Sequence, residues 1–244
     1  MIFCYNRNMP QRKEQFTNDE IYHIIIRGLD DSLIFKDIND YYRGIFSIYE
    51  FNNAKHIEIR KRREERKREK TSGVPDSVVD KREKLVDILA FCFMPNHIHL
   101  LLKQVKNGGI VKFMNKSGSG YAGYFNRKYK RKGYVFQNRF RSVPIGDDNQ
   151  LRTIFNYIHV NPISLIEPGW KENGIDNLDK AVSFLEDYKW SSYSDYIGEN
   201  NFPSVTERKF LSETLNGVVG CKEAIENWIE YKRKLSQHQA ILLE

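Results

Sequence analysis

The segment FCFMPNHIHLLLK, residues 91–103, decides the fold and the chemistry of this chain. His97 and His99 are two residues apart in an apolar run, so on a β-strand both imidazoles project from one face. Ile98, Leu100 and Leu102 project from the other face, where helices can bury them. Residues 85–93 also have the composition of a strand. The Met-Pro-Asn sequence between the two runs therefore predicts a tight hairpin turn.

A His-x-His pair on one face of a strand can chelate a metal ion. The motif is short, however, and the same pattern arises when one histidine is satisfied in a core and the other is solvated. The pair alone leaves both interpretations open. His23, on a predicted first strand over residues 21–27, could be a third ligand, but it has no partner in sequence and a structural role is favoured.

The composition favours a polyanionic partner. Lys and Arg number 39 against 32 Asp and Glu, which gives a formal net charge of +7 over 244 residues. This length suffices for one well-buried domain with an appendage, or for two small domains. Three widely separated cysteines indicate a reducing compartment, and neither a membrane span nor an export segment is recognisable. We therefore expect a cytoplasmic, nucleoid-associated protein.

The sequence predicts three further segments, of which two are helices and one is a charged run. Residues 40–53 have apolar residues at helical spacing. The net-basic run at residues 55–70 has no apolar stripe, which predicts a solvated helix or a disordered insertion, with a phosphate-contacting arm as the alternative. Residues 110–129 predict a helix that is interrupted or delayed by the Ser-Gly-Ser-Gly sequence at 117–120.

Residues 127–141 combine cations and aromatic rings without any carboxylate. Cations can follow a phosphate backbone, and bases can stack on rings, so this segment favours binding of single-stranded nucleic acid. The alternative is a loop and an edge strand whose rings are simply buried. The predicted DNA-binding residues are Arg127, Lys128, Lys130, Arg131, Lys132, Tyr134, Arg139 and Arg141.

A helix that begins near residues 147–149 carries the second candidate site. Leu151, Phe155 and Ile158 define its apolar face, and Pro162 limits its length. Tyr157 and Asn161 are four residues apart, so they lie one above the other on successive turns. A tyrosine on such a helix is commonly an amphipathic rim residue.

Taken together, the motifs resemble REP-associated tyrosine transposases, the chromosomal relatives of the single-tyrosine HUH insertion-sequence transposases. The resemblance spans roughly residues 21–196. The motifs occur in the family's order, as YHIIIRG at 22–28, MPNHIHLLL at 94–102, GYVFQNRF at 133–140, NYIHVNP at 156–162 and WSSY at 190–193. The charged insertion of residues 55–80 and the Ser-Gly-Ser-Gly sequence depart from the family pattern.

The resemblance implies an α+β fold, a ferredoxin-like antiparallel sheet with helices on one face. It implies that His97, His99 and Asn161 hold a divalent metal, Mg²⁺ or Mn²⁺ with Zn²⁺ as an alternative, and that Tyr157 is the nucleophile. The implied activity is cleavage and rejoining of single-stranded or hairpin DNA through a covalent 5′-phosphotyrosine, by a monomer or a homodimer. Residues 1–196 would form the transposase domain, and residues 197–244 a C-terminal helical extension.

Two other functions are compatible with the same residues. A sequence-specific DNA-binding protein would keep the fold and the basic surface without catalysis, and would bind in a salt-sensitive manner without a covalent adduct. A metal-dependent phosphoesterase would use water as its nucleophile, although the sequence contains no Gly-rich phosphate loop to support it.

Overall fold

The computed structural model describes residues 15–71, 80, 82–137 and 139–241. The strands are β1 (Ile21–Arg27), β2 (Val86–Met94), β3 (His97–Gln104) and β4 (Arg141–Ile145). The helices are α1 (Ile38–Glu50), α2 (Ile59–Thr71), α3 (Gly109–Lys128), α4 (Asp148–Val160), α5 (Trp170–Asn173), α6 (Leu178–Asp187), α7 (Tyr193–Tyr196), α8 (Lys209–Thr214) and α9 (Gly217–Ile241), with 3₁₀ helices at Leu29–Asp31 and Asn161–Leu165.

The four strands form one antiparallel sheet in the order β2-β3-β1-β4. Helix α1 connects β1 to β2, and α3 connects β3 to β4, which is the β-α-β-β-α-β order of a ferredoxin-like fold. The predicted hairpin is also confirmed, because Met94 pairs with His97 across the turn. The predicted fold class is therefore confirmed.

One face of the sheet is covered by α1 and α3. Ile24, Ile98 and Leu100 are buried there in one hydrophobic cluster with side chains from both helices. The start of α1 is fixed by Asp37, whose side chain accepts hydrogen bonds from the backbone N–H groups of Asn39 and Asp40 in a capping box. Burial of an amphipathic helix face against a half-apolar sheet is the main source of stability here.

The Ser-Gly-Ser-Gly sequence does not interrupt a helix, so this prediction was wrong. Helix α3 runs continuously from Gly109 to Lys128. A Cβ atom on Gly120 would lie 2.1 Å from a ring carbon of Phe51, and Gly44 on α1 is similarly close to the rings of Phe35 and Phe93. The small residues allow close approach of neighbouring groups, and this packing outweighs the low helix propensity of glycine.

The other face of the sheet is partly covered by α4 and by the C-terminal helices. Leu89 and Leu101 of the sheet share a hydrophobic cluster with Phe155 of α4 and with Ile225 and Ile229 of α9. The C-terminal helices thus pack directly behind α4. Among the described residues, no helix is long and apolar enough to span a membrane.

The charged run forms helix α2 as far as Thr71. Its Arg62 guanidinium lies 3.2 Å from the carboxylate of Glu50 on α1, so the helix is tied to the domain at its first turn. The rest of the predicted insertion, residues 72–79 and 81, lies outside the described residues.

Candidate active site

The two histidines of β3 lie on the sheet face that α4 covers. His99 is 2% exposed and His97 is half-buried, and their ring centroids are 4.8 Å apart. Ile98 between them points to the opposite cluster. The structure therefore has the predicted alternation, with both imidazoles on one face.

The neighbour of His97 determines which of its nitrogens is available. His97 Nδ1 lies 2.6 Å from the side-chain oxygen of Asn96. A carboxamide oxygen can only accept, so His97 Nδ1 carries the proton and donates it. The lone pair on His97 Nε2 is therefore left for a ligand.

His99 is held from both sides by hydrogen bonds. The Asn161 side-chain nitrogen lies 3.2 Å from His99 Nε2, and an amide nitrogen only donates, so His99 Nε2 accepts. The neutral ring then carries its proton on Nδ1, which donates to Nε2 of His23 over 3.0 Å. His23, for which the sequence favours a structural role over that of a ligand, thus fixes the ring orientation of His99.

Burial keeps these imidazoles uncharged at neutral pH. Desolvation lowers the pKa of His23 to about 4, and it lowers the pKa of His97 to about 4 with smaller contributions from the charges of Arg27 and Lys171. The pKa of His99 also lies well below its ordinary value, chiefly through burial. Neutral rings have the lone pairs that metal binding requires.

Helix α4 places Tyr157 and its C-terminal cap residue, Asn161, beside the histidines. Its N-terminus is capped by Asp147, which accepts a hydrogen bond from the backbone of Gln150. Buried Phe155 fixes the apolar face, so Tyr157 faces the site. The Tyr157 ring centroid lies 5.5 Å from that of His99 and 6.0 Å from that of His23. All of these groups come from one chain.

A lysine that the sequence analysis did not identify also reaches Tyr157. Lys171 lies on α5, beyond the motifs, and its Nζ donates a hydrogen bond to the Tyr157 hydroxyl oxygen over 3.2 Å. No motif connects Lys171 to Tyr157, because the contact depends on how the chain turns after Pro162. The neighbouring Trp170 is 2% exposed and anchors this turn.

The side chains present fit a divalent metal with two nitrogen ligands and one oxygen ligand. His97 Nε2 and His99 Nε2 offer lone pairs, and a half-turn of the Asn161 carboxamide would present its oxygen in place of its nitrogen. The hydrogen bonds that His97 and His99 donate to Asn96 and His23 are of the kind that orients metal-binding histidines. No group of three or more His, Cys, Asp or Glu residues that could hold a metal occurs in the described chain.

The predicted DNA-binding residues separate into two groups. Tyr134 is 73% exposed, and Arg127, Lys130 and Lys132 are exposed around the end of α3. Lys128 instead forms ion pairs of 2.7 Å with Asp37 and with the buried Asp40. No sequence pattern predicts these ion pairs, because Asp37 and Asp40 lie 91 and 88 residues before Lys128, at the start of α1.

The other cations that were predicted to bind DNA lie close to these exposed residues in sequence. Arg131 donates a hydrogen bond to the backbone oxygen of Tyr134, and Arg139 and Arg141 are exposed at the edge strand β4 and just before it. The rings of Tyr129, Phe136 and Phe140 pack against the hydrophobic cluster. These three rings are half-buried, whereas the ring of Tyr134 is the exposed one in this segment.

The fold and this site together define a class of protein: a ferredoxin-like domain in which a His-x-His strand faces a tyrosine-bearing helix. The model of the family described as IS200-like transposase matches residues 17–161. This match covers more than half of the 244 residues. The chain belongs to the IS200-like transposase family, so its class is that of DNA-acting transposases.

The other comparisons do not add to the family assignment. No curated protein matches this chain in sequence. A solved structure of a REP-associated tyrosine transposase bound to a REP hairpin is similar at 14% identity and a TM-score of 0.44, covering 82% of this chain and 96% of that one. Since identity and TM-score are both low, the assignment depends on the family match and on the sheet order.

Proposed function

We propose that this protein is a metal-dependent transposase that cleaves and rejoins single-stranded DNA at hairpin-associated sites, with Tyr157 as the nucleophile. The observation that supports this proposal most strongly is the convergence of Tyr157 and Asn161 with His99 within one chain. Two segments that are distant in sequence, β3 and the end of α4, contribute to a single site.

The chemistry would be a transesterification in which Tyr157 replaces one ester oxygen of the DNA. The Tyr157 hydroxyl oxygen attacks the scissile phosphorus, the bond from phosphorus to the 3′-oxygen breaks, and that oxygen takes up a proton. The 5′ end remains attached to Tyr157 as a phosphotyrosine. Attack by another 3′-hydroxyl reverses the step, so strands can be rejoined without ATP.

His97, His99 and Asn161 would hold the divalent ion, with Mg²⁺ or Mn²⁺ as the proposed metal and Zn²⁺ as the alternative. When bound, the ion would supply positive charge that offsets the charge of the scissile phosphate. The protein's own contribution is to fix the geometry. Asn96 and His23 orient the two imidazoles, and the rigid helix α4 holds Tyr157 next to them.

The exposed cations at the end of α3 would hold the DNA strand. Arg127, Lys130 and Lys132 can contact phosphates, and the exposed ring of Tyr134 can stack on a base. The similar solved structure, of a transposase bound to a REP hairpin, suggests DNA of that kind as the first substrate to test. We place the protein in the cytoplasm at the nucleoid, where such DNA is found.

Labelled single-stranded hairpin DNA, incubated with the protein and Mn²⁺ or Mg²⁺, tests this proposal. We expect a labelled protein band on a denaturing gel, and its loss in Tyr157→Phe, which removes only the hydroxyl. Salt-sensitive binding without a covalent band would favour the non-catalytic DNA-binding protein instead. Cleavage that persists in Tyr157→Phe would favour a phosphoesterase that uses water.

A further inference from the structure

We propose that Lys171 is a catalytic residue whose ammonium group stabilises negative charge on the Tyr157 hydroxyl oxygen during cleavage and rejoining. This inference deepens the proposed function and depends on it. The supporting contact is direct, because Lys171 Nζ lies 3.2 Å from the hydroxyl oxygen and 5.0 Å from the centroid of the Tyr157 ring.

The fold holds Lys171 at the site without burying it. Buried Trp170 precedes it, and a turn at Gly169, with a φ of 89°, sets the direction of α5. Positive φ is a conformation that glycine adopts at little cost. Helix α5 also packs against α9, so the C-terminal helices support the position of Lys171.

The charge of Lys171 is not taken up by a carboxylate. Its side chain contacts Tyr157 and Trp170, and across the described part of the chain no Asp or Glu side chain forms an ion pair with it, although Glu172 is its neighbour in sequence. The other cation that influences the histidines, Arg27, is paired with Asp31 over 2.8 Å. Lys171 therefore supplies an uncompensated positive charge at the phenol.

The charge of Lys171 would assist a transesterification in which each bond that forms replaces one that breaks. On cleavage, a bond forms from the Tyr157 oxygen to phosphorus while the bond from phosphorus to the 3′-oxygen breaks. The phenol proton leaves to solvent, and the departing 3′-oxygen takes a proton from solvent. On rejoining, a 3′-hydroxyl oxygen loses its proton to solvent and bonds to phosphorus while the bond from phosphorus to the Tyr157 oxygen breaks. The Tyr157 oxygen is then the leaving group, carries negative charge and takes up a proton from solvent. One ammonium group can therefore lower the barrier in both directions.

The contact between Lys171 and Tyr157 would add little to the stability of the fold. Lys171 is exposed, and holding an exposed lysine side chain in one geometry costs conformational entropy that a hydrogen bond in water barely offsets. The contact is thus better explained by the reaction than by stability.

Single-turnover cleavage at saturating hairpin DNA with Mn²⁺ tests the role of Lys171. In Lys171→Met, which keeps the length of the side chain but removes its charge, we expect a rate lower by on the order of 10–100-fold. Lys171→Arg should retain most of the rate. Lys180→Met is the matched control, because it removes the charge of one exposed lysine on α6 that forms no hydrogen bond with Tyr157, and it should cleave at the wild-type rate.

Two further measurements separate this role from DNA binding and from a failure of the proposed function. Site-specific incorporation of 3,5-difluorotyrosine at position 157, a phenol that carries negative charge more readily, should restore much of the rate lost in Lys171→Met. In protein labelled with ¹³C at the tyrosine Cζ, the Tyr157 resonance should shift in Lys171→Met and not in Lys180→Met. This second measurement requires no DNA cleavage.

The proposal would be overturned if Lys171→Met cleaved saturating DNA at the wild-type rate, or if the Tyr157 resonance did not shift in this variant. It would also be overturned by a rate loss that difluorotyrosine leaves unchanged, since Lys171 would then act on the phosphate rather than on the phenol. If the wild-type protein forms no covalent product, the proposed function fails and the catalytic role fails with it, while a shifted resonance would still establish the contact.

Discussion

His23 Nε2 lies 3.0 Å from His99 Nδ1, so a histidine of the first strand orients a histidine of the third. The two residues are 76 positions apart in sequence, and they meet because β1 and β3 pair in the antiparallel sheet. This hydrogen bond directs the His99 Nε2 lone pair towards Asn161. It thus connects the strand pairing to the geometry of the proposed metal site.

Removal of the His23 acceptor should weaken metal binding. In His23→Leu, the His99 ring loses the partner that fixes its tautomer, and we expect Mn²⁺ affinity to fall by on the order of 10–100-fold. His23→Gln, whose side-chain oxygen can still accept, should retain more of the affinity. Calorimetric titration with Mn²⁺ measures both variants, and equal affinities for wild type and His23→Leu would refute this role.

Two of the interior glycines of α3, Gly118 and Gly120, should respond differently to alanine. Gly120→Ala places a Cβ atom 2.1 Å from the Phe51 ring, and we expect a loss of about 1–3 kcal/mol in unfolding free energy from overpacking. Gly118→Ala meets its nearest atom, on Ile26, at 3.9 Å and should gain up to about 1 kcal/mol from helix propensity. Urea denaturation distinguishes the two, and similar shifts in both would contradict the close packing of α3.

Two lysines in the predicted DNA-binding run should affect different properties. Lys132→Ala removes an exposed cation, so it should weaken DNA binding and reduce the salt dependence of log K by about 1. Lys128→Ala leaves the buried Asp40 carboxylate without its ion pair and should mainly lower stability. Fluorescence anisotropy at several salt concentrations, together with urea denaturation, separates the effects. A larger loss of salt dependence in Lys128→Ala would reverse these roles.

Because all the proposed site residues meet within one chain, two inactive variants should not complement each other. We expect a mixture of Tyr157→Phe and His99→Ala to form no covalent DNA adduct beyond that of each variant alone. The assay is the denaturing gel with labelled hairpin DNA. Activity that appears on mixing would mean that Tyr157 of one chain acts at the histidines of another.

Local pattern was sufficient to predict most of the framework. The alternation in residues 91–103 predicts the β2-β3 hairpin, and the i, i+4 spacing of Tyr157 and Asn161 predicts their common side of α4. Both features depend on neighbours in sequence. The family resemblance, rather than periodicity, connected the hairpin to α4.

The features that sequence analysis missed depend on contacts between distant segments. The Ser-Gly-Ser-Gly sequence has low helix propensity, and only the nearby Phe51 ring explains why glycine is used there. The sequence predicts that Lys128 binds DNA, because nothing near it in sequence indicates that Asp37 and Asp40 pair with it in the fold. Lys171 lies in no motif, and its contact with Tyr157 follows from the turn after α4.

The most direct test of the central claim is to identify the atom that carries the DNA. After reaction of wild-type protein with hairpin DNA and Mn²⁺, digestion and tandem mass spectrometry should find the 5′-phosphate of the cleaved strand on the peptide that contains Tyr157. A phosphonucleotide on any other residue, or a cleaved strand with no peptide attached, would contradict the account.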